Sequence, residues 1–213
     1  MNTGTQLRNR VAAIATTKPL EALELAKQIA DPWFRCQALS IAAVHARDQR
    51  TRNSAIDEAL RVANELREPN RVVTVSSWPL KALVLAGQMS RVSSEVERLL
   101  RLIATEPSPV RRADALRFLL GAVSPALPPV AGRVAREFAS ACLEPLASGK
   151  RNARGESHLE TCLPGIARID SDLAQSLLAR LTPARADRAE RALSAARNVP
   201  LDELLPWPNL GAA

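Results

Sequence analysis

The sequence predicts an all-α protein, a right-handed superhelical stack of about five helix–turn–helix hairpins. Three observations carry this. Apolar residues recur at three- and four-residue spacing along most of the chain, the period of one helix face. Glycine is scarce (8 of 213 residues), alanine is abundant, and the two-residue alternation of strands is almost missing. Turn prolines recur at a near-constant interval: Pro32, Pro69, Pro107, Pro145 and Pro183 are 37, 38, 38 and 38 residues apart.

The stretch from Leu20 to Ala46 is the template. Leu20, Leu23, Leu25, Ala26, Ile29 and Ala30 mark a first helix, and Ala38, Leu39, Ala42, Ala43 and Ala46 a second. Between them Asp31 caps the second helix and Pro32 fits its first turn, where a missing N–H costs nothing. Such a hairpin has one apolar side and cannot bury it alone, so it needs copies. The stretch Pro32-Trp-Phe-Arg-Cys-Gln-Ala-Leu39 matches Pro109-Val-Arg-Arg-Ala-Asp-Ala-Leu116 in Pro, Arg, Ala and Leu.

A period near 38, with Ala26, Ile29, Asp31-Pro32, Arg35 and Ala38-Leu39 as its best-kept positions, resembles the degenerate bacterial α-helical repeats, the TPR/HEAT-like α-solenoids. The resemblance covers residues 18 to 197 and implies a binding surface, not a reaction. The tetratricopeptide signature requires Tyr among its aromatic positions, and this chain has none.

In order, residues 5–16 read as a capping half-repeat started by Thr3 or Thr5. Residues 19–30 and 33–47 form the template hairpin. Residues 53–67 form a helix capped by Asn53. Over 69–88 the expectation is a short helix, a break at Trp78-Pro79, and a second helix from Pro79, because proline breaks a continuous helix. Residues 93–105 follow, capped by Ser93 or Ser94. Ser108-Pro109 opens a helix to about Val123. Ser124 to Pro129 is a rigid connector before a helix over 130–146. Ala147 to Gly155 (ASGKRNARG) is a basic loop. Helices over 156–168 and 171–181, and one from Thr182-Pro183 through Arg197, complete the stack. The organisation is one domain: a cap over 1–17, repeats over 18–197, and a tail over 198–213. The tail, with Trp207 between two prolines, is expected to fold back over the open end of the last hairpin, or else to be a short linear motif for a partner.

Composition bounds the function. The net charge is +7, with arginine far outnumbering lysine, which admits an acidic partner or a nucleic acid as well as simply solvated helix faces. The odd number of cysteines (Cys36, Cys142, Cys162) at irregular spacing argues against a disulfide framework and suits a reducing, cytoplasmic setting. No apolar run approaches a membrane span, so no membrane partner is expected. The chain has no G-x-S-x-G, no Gly-rich phosphate loop and no H-E-x-x-H, so neither catalysis nor a cofactor is expected. His158 and Cys162, four apart on one helix, with Cys142 before them, are the nearest approach to a zinc site. A fourth ligand is missing, and the expectation is no metal.

The expected function is a non-catalytic protein–protein scaffold or adaptor, binding a partner on the concave face through Trp33, Phe34, Arg35, Trp78, Arg111 and Arg112. The aromatics serve as anchors; the arginines recur after the turn proline and would stack as a ladder. The alternative is a nucleic-acid-binding helical repeat that uses this ladder, with Lys150, Arg151 and Arg154 contacting phosphate.

Overall fold

The computed structural model describes residues 3–125 and 128–210, and over these the chain is all-α. The helices are α1 (Gly4–Ala15), α2 (Pro19–Lys27), α3 (Pro32–His45), α4 (Gln49–Ala63), α5 (Pro69–Leu85), α6 (Met89–Ile103), α7 (Pro109–Val123), α8 (Pro128–Leu143), α9 (Ala153–Ile169), α10 (Ser171–Leu178), α11 (Pro183–Ala195) and the single turn α12 (Leu201–Leu204). A 3₁₀ turn, Ala196–Asn198, follows α11.

Local chemistry sets the starts. Thr3 and Gln6 form a reciprocal capping box on α1. Asp31 accepts from the Trp33 N–H at 2.8 Å, with Pro32 in the first turn of α3. Ser108 caps α7 in the same way before Pro109, and Asp170 caps α10 through the Leu173 N–H.

The residues group into two packed units, 3–95 with 208–210, and 96–207. In the first, α1, α3 and α5 pack on one another in order, α2 lies against both α1 and α3, and α4 against both α3 and α5. In the second, α7, α9 and α11 form the same kind of row, with α8 between α7 and α9 and α10 against α9. Each unit is thus two layers, an odd-numbered row and an even-numbered one. The core between them is aliphatic and small, as the near-absence of aromatics requires. It includes Leu39, Ile56, Leu80 and Leu83 in the first unit and Leu116, Leu119, Leu159 and Leu163 in the second.

Carboxylate–arginine pairs tie successive helices of each row. Among the even-numbered helices, Asp57 pairs with Arg91 in the first unit, and in the second Glu97 pairs with Arg133 and Asp170 with Arg136. In the odd row Asp114 of α7 pairs with Arg154 of α9, and Glu160 of α9 with Arg185 and Arg188 of α11.

Several expectations are corrected. Pro79 does not break the chain into two helices; α5 runs unbroken through it. Proline at 79 leaves the Val75 carbonyl without its helical donor. The Cys36 thiol of α3 donates to that carbonyl at 3.6 Å, so the loss is made good by a neighbouring helix. Helix α4 starts four residues earlier than Asn53, because Asp48 accepts from the Thr51 N–H. Ser93 lies within α6, its hydroxyl donating to the Met89 carbonyl. The proline period also fails in the second half. Pro107 precedes the true start at Ser108-Pro109, and Pro145 follows the end of α8, while α9 is capped by Asn152. Of the Ser124–Pro129 connector, residues 126 and 127 lie outside the described residues.

Candidate functional site

The first unit has a groove of about 790 Å³ between α2 and α4. Its apolar surface is Leu20 and Leu23 from α2, Ala55 from α4, and Leu39 of α3 beneath. Its rim is charged: Glu24 and Lys27 on one side, Arg50, Asp57, Glu58 and Arg61 on the other. Most of the rim is internally paired. Lys27 bonds Glu24 at 2.7 Å, and Arg61 spans Glu58 at 2.6 Å and Glu65 at 3.0 Å. The Arg61 guanidinium holds the Glu58 carboxyl below the usual carboxylate range despite some burial. Among the described residues Arg50 has no ion-pair partner.

Leu20 is the notable side chain. It is 67% exposed, although a leucine on an amphipathic helix normally faces the core. It also lines a second hollow of about 400 Å³, with Pro19, Ala46 and Arg47 among its walls. Leu20 therefore stands as an apolar ridge between two depressions.

The residues singled out by sequence lie elsewhere. Trp33, Phe34 and Arg35 are on the first turn of α3 and Trp78 on α5. Trp78 is buried. Phe34 lies against Gly4, where a Cβ would sit 2.5 Å from its ring. Trp33 is covered on one face by the Arg71 guanidinium, 5.7 Å from the ring centroid. Arg35 bonds Glu65 at 2.5 Å. In the second unit Arg112 pairs with Glu144 and donates to the Glu106 carbonyl at 2.7 Å. Arg111 stands 4.0 Å from the buried Glu106 carboxylate. Arg35 and Arg112 thus do the same work in two repeats. Each is the fourth residue of its helix and binds a glutamate just beyond the following even helix. Arg151 bonds Glu156 at 2.6 Å and Arg154 bonds Asp114 at 2.8 Å. Lys150 is exposed in the loop before α9.

A denser polar cluster joins α7 to α9. His158 Nε2 lies 2.7 Å from Asp114 Oδ1 and 3.5 Å from Arg154 Nε, and His158 Nδ1 lies 3.2 Å from Arg117 Nη1. Burial pushes the Asp114 carboxyl up, but the His158 hydrogen bond and the Arg154 charge outweigh it, and the carboxyl titrates below its ordinary range. His158 is thereby engaged with Asp114 and Arg117, not with the cysteines. All three thiols are buried and free. Burial raises the Cys36 and Cys142 thiols well above their ordinary range and pushes Cys162 up to about 12. Among the described residues no three His, Cys, Asp or Glu side chains are placed to hold a metal ion.

Sequence reasoning missed the α2–α4 groove because its residues read as an ordinary apolar stripe and ordinary i,i+3 ion pairs. The one available signal was Leu20, which continues the apolar stripe into the first turn of a helix that carries Pro19 at its start.

The architecture is that of an all-α protein whose helices pack on their chain neighbours in two layers, a form compatible with helical repeats. Among the described residues no helix is long and apolar enough to cross a membrane. No protein-family model, curated protein or solved structure matches the chain.

Proposed function

We propose that the protein is a non-catalytic helical-repeat scaffold that binds a partner protein, and that the α2–α4 groove receives an amphipathic helix of that partner. The observation that carries this is Leu20, a large apolar side chain 67% exposed between two hollows. An apolar centre inside a charged rim is the anatomy of a protein interface. A groove between two helices accepts a third helix through anchors at i, i+3, i+4 and i+7. The rim carries both signs, so the fitting helix flanks its apolar stripe with both acidic and basic residues. The subtype of repeat, whether TPR-like or HEAT-like, is part of the same proposal, which is supported by the packing of chain-neighbouring helices within each unit.

The alternative is nucleic-acid binding by an arginine-rich surface, and it is supported by the net charge of +7. Against it stands the use of Arg35, Arg112, Arg151 and Arg154 in ion pairs within each unit.

The test compares tagged wild-type protein with Leu20→Asp and Leu85→Asp in quantitative pull-downs with nuclease present. Leu85 is the control, another exposed leucine at 56%. A stoichiometric protein retained by wild type and Leu85→Asp but lost by Leu20→Asp supports the groove. A partner set indifferent to Leu20→Asp, or one that vanishes with nuclease, overturns it.

A further inference from the structure

Among the described residues the C-terminal segment is seated on α9 and α7. After α11 it turns back along the odd row, placing α12 against α9 and Trp207 against α7.

The surface that receives it is shaped for an extended chain. Gly165 of α9 makes room for Leu205: a Cβ there would sit 2.5 Å from the leucine Cγ. Gly121 of α7 makes room for backbone: a Cβ there would sit 1.9 Å from the Trp207 carbonyl oxygen. Both glycines are inside helices, where glycine is less favourable than alanine by about 1 kcal/mol. Arg168 of α9 donates to the carbonyls of Arg197 and Val199, at 3.4 and 3.2 Å, which holds main chain whatever its side chains. Trp207 is held by side chains of α7: Phe118 meets its ring edge-on at 6.4 Å, and the Arg117 guanidinium stacks 4.7 Å from its centroid. His158 holds that guanidinium from behind. Leu205 is buried and Trp207 half-buried, while Asp202, Glu203 and Pro206 between and before them are exposed.

We propose that the α7–α9 face is a peptide-docking site for an extended Leu-Pro-Trp segment of a partner protein, and that the chain's own tail occupies it in cis. The site has the parts of such a receptor: a leucine pocket opened by Gly165, a backbone track along Gly121, a main-chain clamp at Arg168, and an aromatic seat at Arg117 and Phe118. The anchoring pattern is leucine two residues before tryptophan with proline between, as in Leu205-Pro206-Trp207. The tether gives the tail an effective concentration in the millimolar range, so a partner segment competes against it and binds best when the tail is weakened. This site is separate from the α2–α4 groove and stands or falls independently of it.

The test uses the full chain and a fluorescein-labelled peptide, LDELLPWPNL, corresponding to residues 201–210. Leu205→Asp/Trp207→Ala empties the site in cis; Trp207→Ala alone serves if the double variant fails to fold, since Trp207 is only half-buried. Fluorescence anisotropy is expected to show saturable binding to the emptied variant, at least ten-fold tighter than to wild type. A peptide with its tryptophan replaced by alanine is expected not to bind. Adding Gly165→Leu, or separately Arg117→Ala, to the emptied variant is expected to weaken binding at least ten-fold, with circular dichroism unchanged, because these positions seat Leu205 and Trp207 of the peptide. Absence of binding to a folded, emptied variant overturns the proposal. So does binding that survives both Gly165→Leu and Arg117→Ala.

Discussion

Replacing Gly121 by alanine sets two effects of known sign against each other. In a helix interior the substitution favours folding by about 1 kcal/mol, because alanine loses less conformational freedom than glycine. Here the new Cβ falls 1.9 Å from the Trp207 carbonyl oxygen and 3.1 Å from that of Leu205. Those are backbone atoms and cannot swing aside as a side-chain tip can, so the tail must lift. Lifting it exposes Leu205, whose burial is worth about 2 kcal/mol, and separates Arg117 from the Trp207 ring, a contact worth roughly 0.5–2 kcal/mol. The tail wins, and Gly121→Ala is expected to be destabilised by about 2 kcal/mol. For a chain of this size that lowers the melting temperature by roughly 4–8 °C. Limited trypsinolysis gives a second readout, because the exposed Arg197 immediately precedes the tail segment. Cleavage there is expected to accelerate several-fold, with release of residues 198–213 read by mass spectrometry. A Gly121→Ala protein that melts higher than wild type, with cleavage at Arg197 unchanged, would refute the seating of the tail.

Further outcomes follow from the helix contacts. Cys36→Ala leaves the Val75 carbonyl without its donor and is expected to cost about 1–2 kcal/mol in urea unfolding. In a Pro79→Ala background, which restores a backbone N–H to that carbonyl, the cost should shrink, giving a coupling energy of about 1 kcal/mol in the double-mutant cycle. Asp114→Asn is expected to destabilise by about 1–3 kcal/mol at neutral pH through loss of charged acceptance from His158 and Arg154. The sign with pH is fixed by the lowered carboxyl. Its contribution is fully present above the unfolded carboxylate pKa and is lost as pH falls through the still lower folded value. Between about pH 4 and 2 the variant should therefore lose less stability than wild type. Arg112→Ala removes the bonds to Glu144 and to the Glu106 carbonyl and should cost about 1–3 kcal/mol. Filter binding should show its nucleic-acid affinity unchanged; a loss of affinity without a loss of stability would favour the nucleic-acid reading.

The helices were legible wherever their signals were local. Asp31-Pro32, Ser108-Pro109 and Asp170 start helices as their side chains dictate. The errors arise where a distant residue decides. Pro79 reads as a break because its local cost is plain, whereas the thiol that repairs the damage lies on α3, 43 residues earlier. The near-38-residue spacing of the five prolines does not mark helix starts throughout, because Pro107 and Pro145 sit in the connections between helices. The arginines that follow the turn prolines admit inter-repeat ion pairs as well as a ladder, but their partners Glu65 and Glu144, rather than Asp31 or Asp114, come into reach only when the next helix has folded back. As for the candidate sites, Trp207 was conspicuous between its prolines, but its seat depends on Gly121 and Gly165, which sequence alone reads as mild helix defects.

The three buried thiols give each packed unit its own clock. A thiol reagent attacks the thiolate, and a buried thiol with a raised pKa in a closed helix pair offers almost none. Labelling in native buffer therefore waits for the surrounding helices to part. Cys36 times the first unit; Cys142 and Cys162 time the second. Mass-resolved labelling of the unmodified wild-type chain would thus separate the opening rates of the two halves. No probe need be introduced, and a single rate for all three thiols would mean that the halves open as one.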